Sequence, residues 1–131
     1  MDTHQDASAH TSSSADRLLG QDYWLVWSTP NEGVTADQVT EFVDEHLEWL
    51  LGLEREGVVL CSGPLLSGPG TAPGSGVTVL RADDEESARA RASADPFVVH
   101  GLRTFTLHRW RLNEGSLQVR IMLGARTFEW K

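Results

Sequence analysis

The order of apolar and punctuating residues predicts an α+β fold running strand, helix, strand, strand, helix, strand. Three observations carry this. Four short segments rich in aromatic and β-branched residues are set apart by Gly, Pro and Asn. Two segments with helical periodicity lie between the first and second and between the third and fourth of them. Each helical segment opens on residues with capping-box spacing.

Tyr23–Ser28 is the first strand, closed by Pro30 and Asn31. Thr35 and Gln38 have the spacing in which each side chain satisfies a free backbone N–H of the other. The first helix therefore starts near Thr35, runs to about Glu56 and stops at Gly57. Val58–Leu60 begins the second strand, which leads into Cys61, Ser62, Gly63 and Pro64. Residues 65–76 are crowded with Gly and Pro and are long for a strand-to-strand connection. They read equally as a binding loop and as a surface insertion. Val77–Ala82 is the third strand. Asp83 and Glu86 open the second helix, whose inner face is Ala88 and Ala92 and which lasts to about Ala94. Asp95 then caps one short turn begun by Pro96 and Phe97. Leu102–Leu112 is the fourth strand, Asn113–Gly115 a turn, and Leu117–Leu123 a fifth strand, before a tail containing Phe128 and Trp130. This is the ferredoxin-like βαββαβ order, an antiparallel sheet with both helices on one face.

At 131 residues, 40% of them hydrophobic and five of them tryptophan, the chain is long enough for one modest core. Residues 1–20, rich in Ser, Thr, Asp and Ala, are expected to form a disordered tail, since they bury too little apolar area to offset ordering entropy. Residues 21–131 form the folded domain. The net charge of −8 argues against nucleic acid and against anionic membrane surfaces, because binding to either rests on neutralising phosphates. Lys131 is the sole lysine. No apolar run approaches the ~20 residues that span a bilayer. One cysteine, Cys61, excludes an intramolecular disulfide and fits a reducing compartment, so the expected location is cytoplasmic.

Both sheet faces carry apolar residues. In the first strand Tyr23, Leu25 and Trp27 point one way and Trp24 and Val26 the other. In the fourth, Phe105, Leu107, Trp110 and Leu112 are divided between the faces. A sheet with one solvated face should alternate apolar and polar. The second face is thus covered by a second subunit or by the C-terminal extension. The extension is short and carries Arg120, Arg126 and Glu129, so a homodimer is the better cover. Two sheets packed face to face make a dimeric α+β barrel.

His46 falls on one helical stripe with Phe42, Val43, Trp49, Leu50 and Leu53, and therefore faces the sheet. Asp95 precedes a proline, where capping alone accounts for it. Ser62, Gly63 and Pro64 end a strand, where a turn alone accounts for them. Taken singly, each has an ordinary structural explanation. In this topology all three places lie near one end of the sheet, beside the long loop. A carboxylate that holds an imidazole in one tautomer and raises its basicity makes a proton-transfer unit. Cys61 is expected to be buried and inert. His100 follows the short turn and could line the pocket, but reads first as a surface residue, and His108 as one inside a dimer. Arg103, Arg109 and Arg111 share a strand face that could recognise an acidic ligand, though a solvated or ion-paired face is the ordinary reading. His4 and His10 lack companion ligands, and no Cys/His cluster has zinc spacing. No metal or cofactor is expected.

These residues resemble the YciI-like family. The resemblance spans about residues 22–116 and rests on His46-Leu47-Glu48-Trp49-Leu50 with Leu53, Glu54 and Gly57; Ser62-Gly63-Pro64-Leu65; Asp95-Pro96-Phe97 with Gly101-Leu102; and Trp110 with Asn113-Glu114-Gly115. It implies a subunit that dimerises through its sheet and a pocket holding the family's histidine and aspartate, here His46 and Asp95. Ser62 and Gly63 would line that pocket, and Pro64 and Phe97 are assigned with them to substrate binding. A family member with similar motifs removes chloride from a chlorinated hydroxyhydroquinone. The wider superfamily includes muconolactone isomerases and small-molecule monooxygenases. The chain departs from the family pattern in its polar N-terminal tail and in the loop at 65–76.

The leading expectation is a cofactor-independent enzyme in which His46 and Asp95 move protons on a small cyclic or phenolic substrate, by isomerisation, elimination or hydrolysis. The second is a ligand-binding or regulatory dimer that uses the same pocket without chemistry. The third is a purely structural dimer with a dry, closed pocket.

Overall fold

The structure is a computed structural model that describes residues 14–130. His4 and His10 lie outside the described residues, as does most of the expected N-terminal tail. Residues 22–111 form one compact unit, and residues 112–130 belong with the segment before Asp22 to another.

In the larger unit, β1 (Gln21–Pro30), α1 (Ala36–Arg55), β2 (Val59–Pro64), β3 (Gly76–Leu80), α2 (Glu85–Ser93), α3 (Pro96–Val99) and β4 (Arg103–Leu112) follow in order. The antiparallel sheet has the order β2-β3-β1-β4. Mixed α+β architecture and βαββαβ order are as the sequence predicts.

Helix α1 forms where its caps place it. Thr35 accepts from the Gln38 N–H, and the Gln38 side chain accepts from the Thr35 N–H at 2.9 Å. Such a cap contributes about 1 kcal/mol. Gly57, at φ 73°, takes the left-handed conformation that ends the helix. Helix α2 is capped one residue later than expected. Asp84, not Asp83, accepts from the Ser87 N–H at 2.7 Å, leaving Asp83 in the approach. Ala88 and Ala92 are buried, which allows the close packing their size predicts.

The core gathers Val26, Leu53, Leu80 and Ala92, with Trp24, Trp49, Phe105 and Leu107 packed against it. These residues define the helix-covered face of the sheet: Trp24, Val26 and Ser28 of β1, Thr78 and Leu80 of β3, and the Arg103, Phe105, Leu107 parity of β4. The opposite face presents Leu25 and Trp27 of β1, Val77 and Val79 of β3, and Thr106, His108 and Trp110 of β4. Trp27 and Trp110 are each 38% exposed there. Asp22 joins β4 to β1 by accepting from Arg111 at 2.7 and 3.1 Å and from Arg109 at 2.9 Å.

Strand β2 is longer than expected and contains Ser62, Gly63 and Pro64 as paired residues, not as a turn. It is an edge strand, where proline costs no ladder hydrogen bond that a neighbour needs. Its pairing with β3 slips between Val59 and Cys61, leaving Leu60 as an extra residue.

In the smaller unit, β5 (Val119–Met122) pairs antiparallel with β6 (Thr127–Trp130). The fifth strand lies inside the segment expected for it. The sixth was not anticipated, because its short run Thr127-Phe128-Glu129-Trp130 reads equally as a tail. The expected turn at Asn113–Gly115 is part of an irregular stretch that reaches β5.

Candidate active site

His46 and Asp95 meet. His46 Nδ1 lies 2.7 Å from Asp95 Oδ1, with the two side chains 16% and 8% exposed. The helical stripe turns the imidazole inward from α1, and the Asp95-Pro96 cap brings the carboxylate to the start of α3. The same Oδ1 accepts from the Phe97 N–H at 2.9 Å. An ionised carboxylate only accepts hydrogen bonds, so Nδ1 donates and Nε2 is left as the acceptor. Helix α1 and the short α3 are joined by ring contacts one turn of α1 apart. His46 stacks on Phe97 with centroids 4.4 Å apart, and Phe42 stacks on His100 at 3.8 Å. Gly101, at φ 72°, then turns the chain into β4, and the Leu102 N–H donates to the Phe97 carbonyl at 2.8 Å.

Beside this pair is a cavity of about 400 Å³. His46, Ser62, Gly63, Pro64 and Phe97 all line it. Asp95 does not: it is 6% exposed and stands behind the imidazole. The remaining walls are apolar side chains of α1, chiefly Val39, Val43 and Leu50, together with Ser28, Ser75, Thr78 and Arg103.

Ser62 reaches the cavity because of the bulge at Leu60. The slip sets Ser62 opposite Thr78, and their hydroxyls lie 2.9 Å apart on the helix-covered face. Cys61 consequently falls opposite Val79, on the other face, where it is exposed. The expectation of a buried thiol was wrong, since the sequence does not announce the bulge. The conclusion that Cys61 is no nucleophile for this cavity stands on its orientation instead. The long loop 65–75 is pinned at its base by the Leu65 N–H donating to the Ser75 carbonyl at 2.8 Å, and it contributes Ser75 to the wall.

The three arginines of β4 share parity but not surroundings. Arg109 and Arg111 are ion-paired with Asp22, as the ordinary reading held. Arg103 is not. It lies at the cavity with Cζ 4.6 Å from the centre of the Phe97 ring. Burial pushes its pKa below the usual arginine value, and the negative charge of Asp95 opposes that shift. Ser28, Ser75 and Thr78 were not anticipated as cavity residues, and Arg103 was grouped with two arginines that turn out to be ion-paired. The available signal was strand parity: Ser28 follows Trp24 and Val26, and Arg103 precedes Phe105 and Leu107, at inward positions.

Of the remaining histidines, His100 is a half-exposed surface residue 3.4 Å from Glu45. His108 lies on the sheet face opposite the helices, 3.0 Å from the Thr106 hydroxyl. Among the described residues, no three His, Cys, Asp or Glu side chains cluster to hold a metal ion. No helix among them is long and apolar enough to cross a membrane.

Comparison with known proteins agrees with this architecture. The YCII-related domain matches residues 23–111. Among solved structures, the chain is similar to 5-chloro-2-hydroxyhydroquinone dehydrochlorinase from Burkholderia phenoliruptrix AC1100, in complex with 2,5-dihydroxybenzoquinone. Identity is 22%, the TM-score is 0.56, and the match covers 67% of this chain and 92% of that one. At that identity the likeness speaks for the fold. No curated protein matches the chain. Two thirds of the sequence, including every strand and helix around the cavity, fall inside the family's match: the chain belongs to the YCII-related family.

Proposed function

We propose that this protein is a cofactor-independent enzyme that moves protons on a small cyclic or phenolic substrate held in the cavity beside His46. The observation that carries the reading is the 2.7 Å contact between His46 Nδ1 and Asp95 Oδ1, with the imidazole lining the cavity and the carboxylate behind it. His46 Nε2 is the group that takes and returns the proton. Asp95 is a positioning residue: it fixes the tautomer and stabilises the imidazolium that forms. Ser62, Gly63, Pro64 and Phe97 shape the site around the substrate. The chemistry open to such a pair includes isomerisation, elimination and hydrolysis. The structural neighbour's reaction, loss of chloride from a hydroxylated ring, supports the elimination arm as the first to try.

The working unit is proposed to be a homodimer in which the face bearing Trp27 and Trp110 packs against its copy. Apolar burial favours covering such a face.

The test uses 5-chloro-2-hydroxyhydroquinone as the first probe, with chloride release followed directly. Exchange of carbon-bound protons on dechlorinated phenols in D₂O is followed in parallel by NMR. A positioned general base contributes about 10²–10⁴-fold. His46→Ala should lower the rate by that order while the circular dichroism spectrum is unchanged. A variant that keeps its rate rejects the assignment. A wild-type protein that binds these rings and returns them unexchanged favours the ligand-binding alternative.

A further inference from the structure

Three buried side-chain polar atoms among the described residues have no hydrogen-bond partner in the protein: Ser28 Oγ, Ser75 Oγ and Arg103 Nε. They come from β1, from the end of the long loop and from β4, far apart in sequence. All three residues line the same cavity as His46. A buried polar group left unpaired costs on the order of 1–3 kcal/mol. Around one space, three such groups mark a wall with more donors than the protein supplies acceptors for.

Their charge says which acceptor. Asp95 already takes two hydrogen bonds, from His46 and from the Phe97 N–H. Among the described residues Arg103 has no ion-pair partner, in contrast to Arg109 and Arg111 on the same strand. Its guanidinium lies between two identified walls. One is the Phe97 ring, 4.6 Å away; the other is the backbone at Gly76, where even a Cβ would come within 3.8 Å of Nη1. Guanidinium presents planar paired donors, which match a carboxylate or a phenolate flanked by another oxygen. The rest of the lining is apolar, and about 400 Å³ suits a single substituted ring.

We infer that the cavity selects small cyclic ligands bearing an anionic oxygen group, with the Arg103 guanidinium as the anchor. This rests on the proposal that the cavity is the ligand site, but not on any proton transfer there. In a chain with net charge −8, an anion is repelled by the molecule as a whole, so such selection needs a dedicated local cation.

The experiment titrates the full chain with benzoate and with benzamide, which differ in charge and hardly in shape. The readouts are the Arg103 Nε–H resonance and the Phe97 ring signals. Benzoate should shift both saturably and bind about tenfold or more tightly than benzamide, the scale of a charge-assisted hydrogen bond. Arg103→Met should reduce that preference to about twofold or less. Equal affinity for the two probes, absence of a saturable shift with benzoate, or a preference that survives in Arg103→Met overturns the inference. If Arg103→Met does not fold, Arg103→Lys is read instead. It lacks the planar fork and should bind benzoate more weakly than wild type; an unchanged affinity overturns the inference equally. Benzoate offers His46 nothing to turn over. A failed titration therefore leaves the catalytic proposal standing, and a failed His46→Ala assay leaves this one standing.

Discussion

Which ring nitrogen of His46 carries the proton is decided by its neighbour. Asp95 Oδ1 sits 2.7 Å from Nδ1 and is itself fixed by the Phe97 N–H, so it cannot turn away without uncapping α3. The neutral ring should therefore be protonated at Nδ1, with Nε2 bare toward the cavity. Nitrogen-15 NMR of the imidazole checks this: the expected spectrum has Nε2 in the unprotonated range, and an Nε2–H tautomer would contradict the geometry. The histidine was legible in sequence because Phe42, Val43, Trp49, Leu50 and Leu53 mark the buried stripe on either side of it. The aspartate was legible because Asp-Pro-Phe is a cap signal. Neither signal revealed that Asp95 stands behind the ring and not in the cavity wall, since that depends on how α1 and α3 pack. Ligand recognition by Arg103 ranked below the ion-paired reading because Arg103, Arg109 and Arg111 share one strand face and the sequence does not separate them. Arg103 is half-buried with its Nε enclosed, and only the packed structure distinguishes it from the exposed, ion-paired Arg109 and Arg111.

Among the elements, β2 shows how one inserted residue determines a site. Were Leu60 paired in register instead of bulged, Cys61 would fall opposite Thr78 and face the cavity, and Ser62 the other side, because a slip of one residue exchanges the faces of a strand. The strand itself was readable from Val58-Val59-Leu60; its bulge was not, because nothing in that apolar run favours one register over another. The helices were more legible. Capping residues placed both ends of α1, and only the shift from Asp83 to Asp84 was missed in α2, where adjacent acidic residues compete for the same role. The β1–β4 pairing carries a pH signature. Hydrogen bonds from Arg111 foremost, then from Arg109, hold the Asp22 carboxyl down to about 2. A depressed carboxyl pKa contributes stability that is present above the ordinary value of 3.8 and is lost as pH falls through about 2. Asp22→Asn should therefore lower the melting temperature at pH 6 and converge with wild type as the pH approaches 2. The exposure of both arginines keeps the effect small. A difference that grows on acidification would contradict the pairing.

For the molecule as a whole, one chain leaves a sheet face with Trp27 and Trp110 partly open to solvent. The sequence showed this as apolar residues on both parities of β1 and β4, before any coordinates. The proposed dimer should give twice the 14.4 kDa chain mass by light scattering at micromolar concentration, and Trp110→Glu should return it to one. A monomeric wild type would remove the dimer from the account. The fold, its family and the cavity would remain.

The most direct measurement compares turnover in wild type, His46→Gln, Asp95→Asn and the double variant, using whichever probe the wild type converts. If the imidazole transfers the proton and the carboxylate acts only through it, losing Asp95 after His46 is already gone should cost almost nothing further. The double variant is expected to match His46→Gln within about twofold. Losses that multiply, or a His46→Gln protein as fast as wild type, would mean that the two groups do not work as one unit.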